Sequence, residues 1–400
     1  MGIPPGISEV LLPRDDLNVV ELINFAVSIP KSCPSLLAMP DSKVFSKISS
    51  VITGEEHVSF LHTLSIPTIT ELETLEERLE KVLENELDDK EKPKSLVYPL
   101  VTANSSNIRL PLWVLEYWRK THEIAWNKSH WGPAIAWLKQ KKSQEAINIL
   151  RSVPWKYRTP DKELDNALDI CDLSLFCSES WLGNAQMDAM SAVLNSHLTA
   201  SQIQASVHSN NFFQKLLASY RFGREPYPTE PSTLFLRNIA DSLKSGNESV
   251  ACTAVAVRLT QNGAILPEGQ QSPSNHWCAL LIDVKRRTLH YGDPMGSPPP
   301  PELIGVMNWW LGLSFMEEFS YQALPITRQT DSFSCSIFTI NALAHYFFPS
   351  IPLLLDGPQL LFARIDMLVK TVDLLKKRVS KQFANGIITY LSYVSFRILQ

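Results

Sequence analysis

Residues 276–294 read HWCALLIDVKRRTLHYGDP. Trp277 to Val284 is one apolar run and Thr288 to Tyr291 a second, with Lys285, Arg286 and Arg287 as a polar turn between them. Two such runs about a short turn form a β-hairpin. Folding about that turn sets position 276 opposite positions 293 to 295. His276 and Asp293 then share the open end of the hairpin, with Cβ atoms on the order of 5 to 7 Å apart. An aspartate so placed fixes the tautomer and orientation of an imidazole and leaves its other ring nitrogen free as a base.

Working outward, Val250 to Leu259 (VACTAVAVRL) is short and β-branched, a strand, and a hydrophilic insertion, TQNGAILPEGQQSPSN, separates it from the hairpin. Further upstream, Gly183 to His197 and Ser201 to Ser219 read as helices. Thr233 to Lys244 is an amphipathic helix closed by Ser245-Gly246. Downstream, four prolines at 298 to 301 precede the helix ELIGVMNWWLGL, and the helix SIFTINALAHYFF follows Cys335 directly. A thiol at a helix N-terminus meets the macrodipole and unpaired N–H groups, both of which favour thiolate. A neighbouring imidazolium adds to this. Gln329, six residues upstream, is placed to donate to an oxyanion beside the Cys335 N–H. Base, orienter, oxyanion donor and nucleophile thus run in the order His, Asp, Gln, Cys. Singly they are weak signals: a cysteine before an apolar helix is more often an inert buried thiol, and the Asp of GDP commonly just makes a turn.

The chain has 400 residues, 37 basic and 41 acidic side chains and a formal charge of -4. So neutral a balance gives no sign of nucleic-acid binding, which needs a concentrated basic surface. With 44% hydrophobic and 20% charged residues the chain is globular. Six cysteines with no CxxC give neither a zinc ligand set nor a disulfide framework. MGIPPGISEV lacks a basic then apolar leader, and the apolar stretch 386–399 is shorter than the roughly 20 residues of a membrane span. An intracellular protein with no membrane attachment is expected.

Four segments are expected: an N-terminal region 1–95, a Trp-rich helical segment 96–160, a catalytic domain 161–380 and an unassigned tail 381–400. Residues 69–89 form a helix with Leu72, Leu75, Leu79, Val82 and Leu87 on one face and a Thr70/Glu73 capping box. It reads as a solvated helix with one buried stripe. A short helix-mediated contact with a partner is the alternative. Residues 108–152, with Trp113, Trp118, Trp126, Trp131 and Trp137, read as two or three helices packed through aromatics. His122 and His130 lack further ligands at metal spacing and are kept as surface or core histidines.

The segments NHW, YGDP and QTDSFSC resemble the ubiquitin-like-protein-specific cysteine protease family, the SUMO and NEDD8 processing and deconjugating enzymes. ESWLGNAQMDAM resembles its Trp-Leu entry motif. The resemblance spans roughly 170 to 350. It implies an α+β, permuted papain-like domain with a central mixed sheet, preceded by a mostly helical N-terminal region. It implies Cys335 as nucleophile, His276 as base, Asp293 as orienter and Gln329 as oxyanion donor. Trp181 and Trp277 would flank a channel for the C-terminal Gly-Gly of a SUMO-like modifier, the partner together with its conjugates. No metal or organic cofactor is needed, and a nuclear or cytoplasmic location is implied. Two features depart from the family. Ser334 and Ser336 stand where it has Asp and Gly, and VAVRLTQNGAILPEG lacks its Pro-x-Asn-like strand end. A catalytically impaired modifier-binding module and a mobile-element-associated cysteine protease are the rival readings.

Overall fold

The computed structural model describes residues 2–26, 36–50, 58–61, 63–84, 92–99, 107–156, 169–224, 227, 229–257, 265, 276–354 and 357–384. The chain forms two compact units, Met1–Pro133 with Arg151–Lys156, and Ala134–Leu150 with Tyr157–Gln400. Among the described residues no helix is long and apolar enough to cross a membrane.

The first unit is mostly helical. Its helix Ile69–Glu84 buries Leu72, Leu75 and Leu79, so the apolar stripe is covered by the chain itself. Leu87, the stripe's last expected member, lies outside the described residues. The capping box sits two residues earlier than expected. Thr68 N donates to Glu71 Oε2 at 2.9 Å and Glu71 N to Thr68 Oγ1 at 3.3 Å. The helix starts at Ile69, so Thr68 is the hydroxyl residue directly before it and takes the cap position. The unit also holds a small antiparallel sheet, β1 (Phe45–Ser46), β2 (Ser95–Tyr98) and β3 (Ile108–Pro111), in that order. Strands of two to four residues are too short to show a period of two.

Instead of two or three helices, residues 108–152 form β3, one long helix Val114–Gln140 and a short one, Gln144–Leu150. Trp118 and Trp131 are fully buried while Trp126 is exposed. Each histidine is satisfied singly: His122 Nε2 meets the Pro67 carbonyl at 2.7 Å and His130 Nδ1 the Trp126 carbonyl at 2.8 Å.

The second unit is built on a five-stranded mixed sheet in the order β4 (Ala205–His208), β5 (Val250–Val257), β6 (His276–Asp283), β7 (Thr288–Gly292), β8 (Ser320–Ala323). The α+β class with a central mixed sheet is as expected. The pairs β4–β5 and β7–β8 are parallel; β5–β6 and β6–β7 are antiparallel. In the hairpin Ala279 pairs with Gly292 and Asp283 with Thr288, so the turn is Val284–Arg287, with Arg287 at φ 53°.

The expected helix at 201–219 is instead β4 followed by the helix Asn211–Phe222, because Ala205–His208 takes its strand character from pairing with β5. Strands β5 and β7 are buried at every position, and β6 at every position but its first. A sheet covered on both faces has no polar face to alternate with. On one face Cys278, Leu280 and Ile282 pack with Phe212, Met307 and Trp310 from the helices Asn211–Phe222 and Pro301–Phe315. Each fully buried side chain of this size contributes about 1.5–3 kcal/mol.

The opposite face carries Trp277 and the helix Cys335–Phe347, where Thr339 Oγ1 donates to the Trp277 carbonyl at 3.1 Å. The helices Asn184–Ala200 and Pro358–Ala384 pack outside it. The insertion 260–275 (Ile265 apart) and residues 385–400 lie outside the described residues.

Candidate active site

Cys335 opens its helix because Asp331 organises the turn before it. Asp331 Oδ1 accepts from Phe333 N and Ser334 N, both at 2.8 Å, and Oδ2 accepts from Ser334 Oγ at 2.6 Å. A short acid that collects successive backbone N–H groups holds a tight turn. The helix then starts at Cys335, which is 1% exposed.

His276 opens β6, opposite Val257. Extending the hairpin register past Gly292 sets it beside the loop that carries Asp293, and the two side chains meet, His276 Nε2 to Asp293 Oδ1 at 2.5 Å. Asp293 also accepts from Met295 N at 2.6 Å and Ser297 N at 3.2 Å, which fixes the carboxylate. With Nε2 on the carboxylate, Nδ1 is the nitrogen left to face a thiol. Both Cys278 and Cys335 act on the charge of the ring. Burial alone would lower the His276 pKa. Asp293, Cys278 and Cys335 outweigh it and push the ring up to about 12. Burial would raise the Asp293 carboxyl, but His276 and the two backbone N–H groups bring it below its ordinary value. The pair is therefore charged, imidazolium on carboxylate.

The two tryptophans meet. Trp181 and Trp277 stack with ring centroids 5.7 Å apart and planes 10° from parallel. Trp277 is fully buried and its Nε1 donates to the Leu182 carbonyl at 2.7 Å; Trp181 Nε1 is buried with no hydrogen-bond partner.

Gln329 lies against the Asp293 loop, its backbone N donating to the Pro294 carbonyl at 2.9 Å. Its side chain turns elsewhere. Nε2 donates to Asp331 O at 2.7 Å and Asp331 Oδ1 at 3.2 Å, and Oε1 is buried without a partner. Both amide N–H groups are thus engaged within the turn. Ser334 and Ser336 are fully buried, and Ser336 Oγ also lacks a partner.

Three residues here were not singled out from sequence. Asp331 had a local signal, an acid four residues before the cysteine of QTDSFSC. Cys278 had one too, since positions 276 and 278 of a strand face the same side. Arg364 sits on the buried stripe of the helix Pro358–Ala384 with Leu360, Leu368, Val372 and Leu375. Its Nη2 donates to the Leu175 and Ser180 carbonyls, each at 2.8 Å, and its Nε to the Phe176 carbonyl at 3.4 Å. Burial lowers its pKa to about 10 against the opposing pull of Cys177, Asp331, Glu179 and Cys335. A cation inside an otherwise apolar stripe was the available signal.

Comparison with known proteins adds the following. No curated protein matches the sequence. Among solved structures, SUMO protease Ulp1 with its catalytic cysteine oxidized to a sulfenic acid is similar at 14% identity, over 59% of this chain and 95% of that one, with a TM-score of 0.42. The C-terminal Ulp1 protease domain in complex with Smt3, the yeast ortholog of SUMO, is similar at 16% identity, over 58% and 96%, with a TM-score of 0.40. The Ulp1-like SUMO protease catalytic domain of Chaetomium thermophilum is similar at 16% identity, over 57% and 89%, with a TM-score of 0.40. Residues 269–353, the stretch that holds His276, Asp293, Gln329 and Cys335, match the Ulp1 protease family, C-terminal catalytic domain.

Proposed function

We propose that the chain is a thiol protease that cleaves after the C-terminal Gly-Gly of a SUMO-like modifier, from precursors or from conjugates, in the nucleus or cytoplasm. The observation that carries this reading is the His276–Asp293 hydrogen bond, with Cys335 acting on the same imidazole from a helix N-terminus. In this reading His276 already carries the proton as imidazolium, and Cys335, as thiolate, attacks the carbonyl of the terminal glycine. The Cys335 N–H holds the oxyanion, joined by Gln329 once its amide turns from Asp331. The imidazolium protonates the leaving lysine amine. It then takes a proton from the water that hydrolyses the thioester, which returns Cys335.

The Trp181–Trp277 pair supports glycine selectivity. A backbone between two ring faces needs carbon contacts of about 3.5–4.0 Å on each side, so roughly 7–8 Å between the rings. At 5.7 Å the slot is shut, and only a segment without side chains is thin enough to open it by so little.

The shut slot, the buried thiol and the engaged Gln329 amide favour a second reading, a module that grips a modifier tail without cleaving it. A SUMO-like modifier carrying a C-terminal electrophile separates the two. The protease gives a covalent adduct that Cys335→Ala abolishes. Tight binding with no adduct establishes the module. Parallel NEDD8-like and ubiquitin-like probes show which modifier is preferred, and absence of binding to all of them defeats both readings.

A further inference from the structure

Three helices of the second unit, Asn184–Ala200, Cys335–Phe347 and Pro358–Ala384, line a groove of about 400 Å³. Each gives it one face at helical spacing, with Val193 and Leu194, Ile337 and Ile340, and Phe362 and Met367. That volume lies within the roughly 300–1,000 Å³ of small-molecule sites, and the lining is mostly apolar as theirs is. Two of the apolar groups on it face water: Phe362 is 68% exposed and Ile351 37%. Such a surface gains by being covered.

The polar groups on the lining decide what covers it. Asn341 is spent on the chain itself, donating to the Pro352 carbonyl at 3.1 Å and accepting from Leu354 N at 2.8 Å. Lys370 and Asp366 pair with each other, Nζ to Oδ2 at 2.6 Å. A carboxylate head would meet Asp366 and an ammonium head Lys370, so the groove complements neither charge. His197, exposed on the same lining, suits a neutral head. Burial lowers its pKa, and Lys370 and Lys377 lower it further against the opposing pull of Asp366, so the ring is uncharged at neutral pH. A neutral imidazole has one donor and one acceptor nitrogen, and a hydroxyl answers either. Along Pro358–Ala384 the lining runs from Gln359 to Lys370, about 16 Å of helix, room for a medium-length alkyl chain laid lengthwise.

We propose that this groove binds an uncharged, single-chain lipid with a hydroxyl head, its chain between the three helices and its hydroxyl on His197. Ile337 stands two residues past Cys335, so the chain lies behind the helix that carries the candidate nucleophile. The site does not depend on what the protein cleaves.

The test is calorimetric titration of the full chain with decanol, decanoate and decylamine, which share one tail and differ in the head. One decanol per chain is expected. Decanoate and decylamine should bind at least about fivefold more weakly, through the lost hydrogen bond and repulsion by Asp366 or Lys370. His197→Ala should weaken decanol by about fivefold and leave decanoate unchanged. Ala344→Phe and Ala363→Phe, on two different walls, fill the groove and should each weaken decanol more than about tenfold. A groove made for a partner protein's apolar helix would not distinguish the three heads. Equal binding of all three, no binding of decanol, decanol affinity unchanged by His197→Ala, or decanol affinity unchanged in both filled variants would overturn the proposal.

Discussion

Asp293 governs the charge of His276 through one short contact, and the two groups leave opposite marks on stability. A carboxyl whose pKa falls on folding stabilises the fold above its unfolded value of about 3.9, and the contribution is lost as pH drops through the folded value. An imidazole whose pKa rises on folding stabilises below its unfolded value of about 6.5, and that contribution is lost as pH climbs through the folded one. With Asp293 lowered and His276 raised to about 12, the pair contributes fully between roughly pH 4 and 6.5 and declines on either side. Asp293→Asn removes the carboxylate and keeps the shape. Urea denaturation from pH 6 to 10 should show a stability decline in the parent that is much flatter in the variant. In the protease reading, turnover should also fall by about 10²–10⁴-fold, the usual share of a well-oriented base. An Asn variant with the parent's slope and rate would show that the contact does neither job.

At the scale of elements, the helix Pro358–Ala384 reaches the site through Arg364. The guanidinium holds the carbonyls of Leu175, Phe176 and Ser180, next to Trp181, so the loop that carries one wall of the slot hangs from a helix far along the chain. Hydrogen bonds to a charged group are worth about 1.5–3 kcal/mol each. Arg364→Leu should therefore lower stability by a few kcal/mol. Capture of the modifier probe should slow more than tenfold at temperatures where the variant is folded, with alkylation of Cys335 by iodoacetamide less affected. Arg364→Lys should recover part of the stability and little of the capture rate, since one ammonium cannot span carbonyls as a planar fork does. Equal slowing of both reagents would mean that Arg364 only maintains the fold. Trp181→Ala tests the wall itself. Trp277 is anchored through Leu182, whereas Trp181 has no hydrogen bond to lose, so Trp181 is the ring that moves. Removing it should speed iodoacetamide alkylation and slow probe capture by at least about tenfold, the 1.4 kcal/mol or so that an aromatic contact supplies. Slower alkylation would sink this account.

For the whole molecule, what was legible in the sequence follows from where each element gets its stability. Strands β5, β6 and β7 and the helix Cys335–Phe347 are apolar because they are buried on nearly every side, so their own composition announced them. The His276–Asp293 meeting was legible for the same reason, since hairpin register is local. Strand β4 at Ala205–His208 and strand β8 at Ser320–Ala323, which is largely exposed, are strands through their neighbours and carry little signal. Gln329 was placed near the site by its spacing, but its turn toward Asp331 depends on side-chain competition that spacing does not encode.

The first unit buries Leu72, Leu75 and Leu79, and the second gathers a buried set on the sheet around Met307 and Trp310. Leu75 and Met307 are both fully buried, so either change to Ala should cost about 2–5 kcal/mol. Hydrogen exchange should locate the damage. Leu75→Ala should speed exchange in Ile69–Glu84 and leave the rate of probe capture by the folded protein unchanged. Met307→Ala loosens the face of β6 that carries Cys278, two residues from His276, and should speed exchange in β5 to β7 and slow capture. If Leu75→Ala slowed capture as much as Met307→Ala, the first unit would be contributing to the site through a route that its own packing does not reveal.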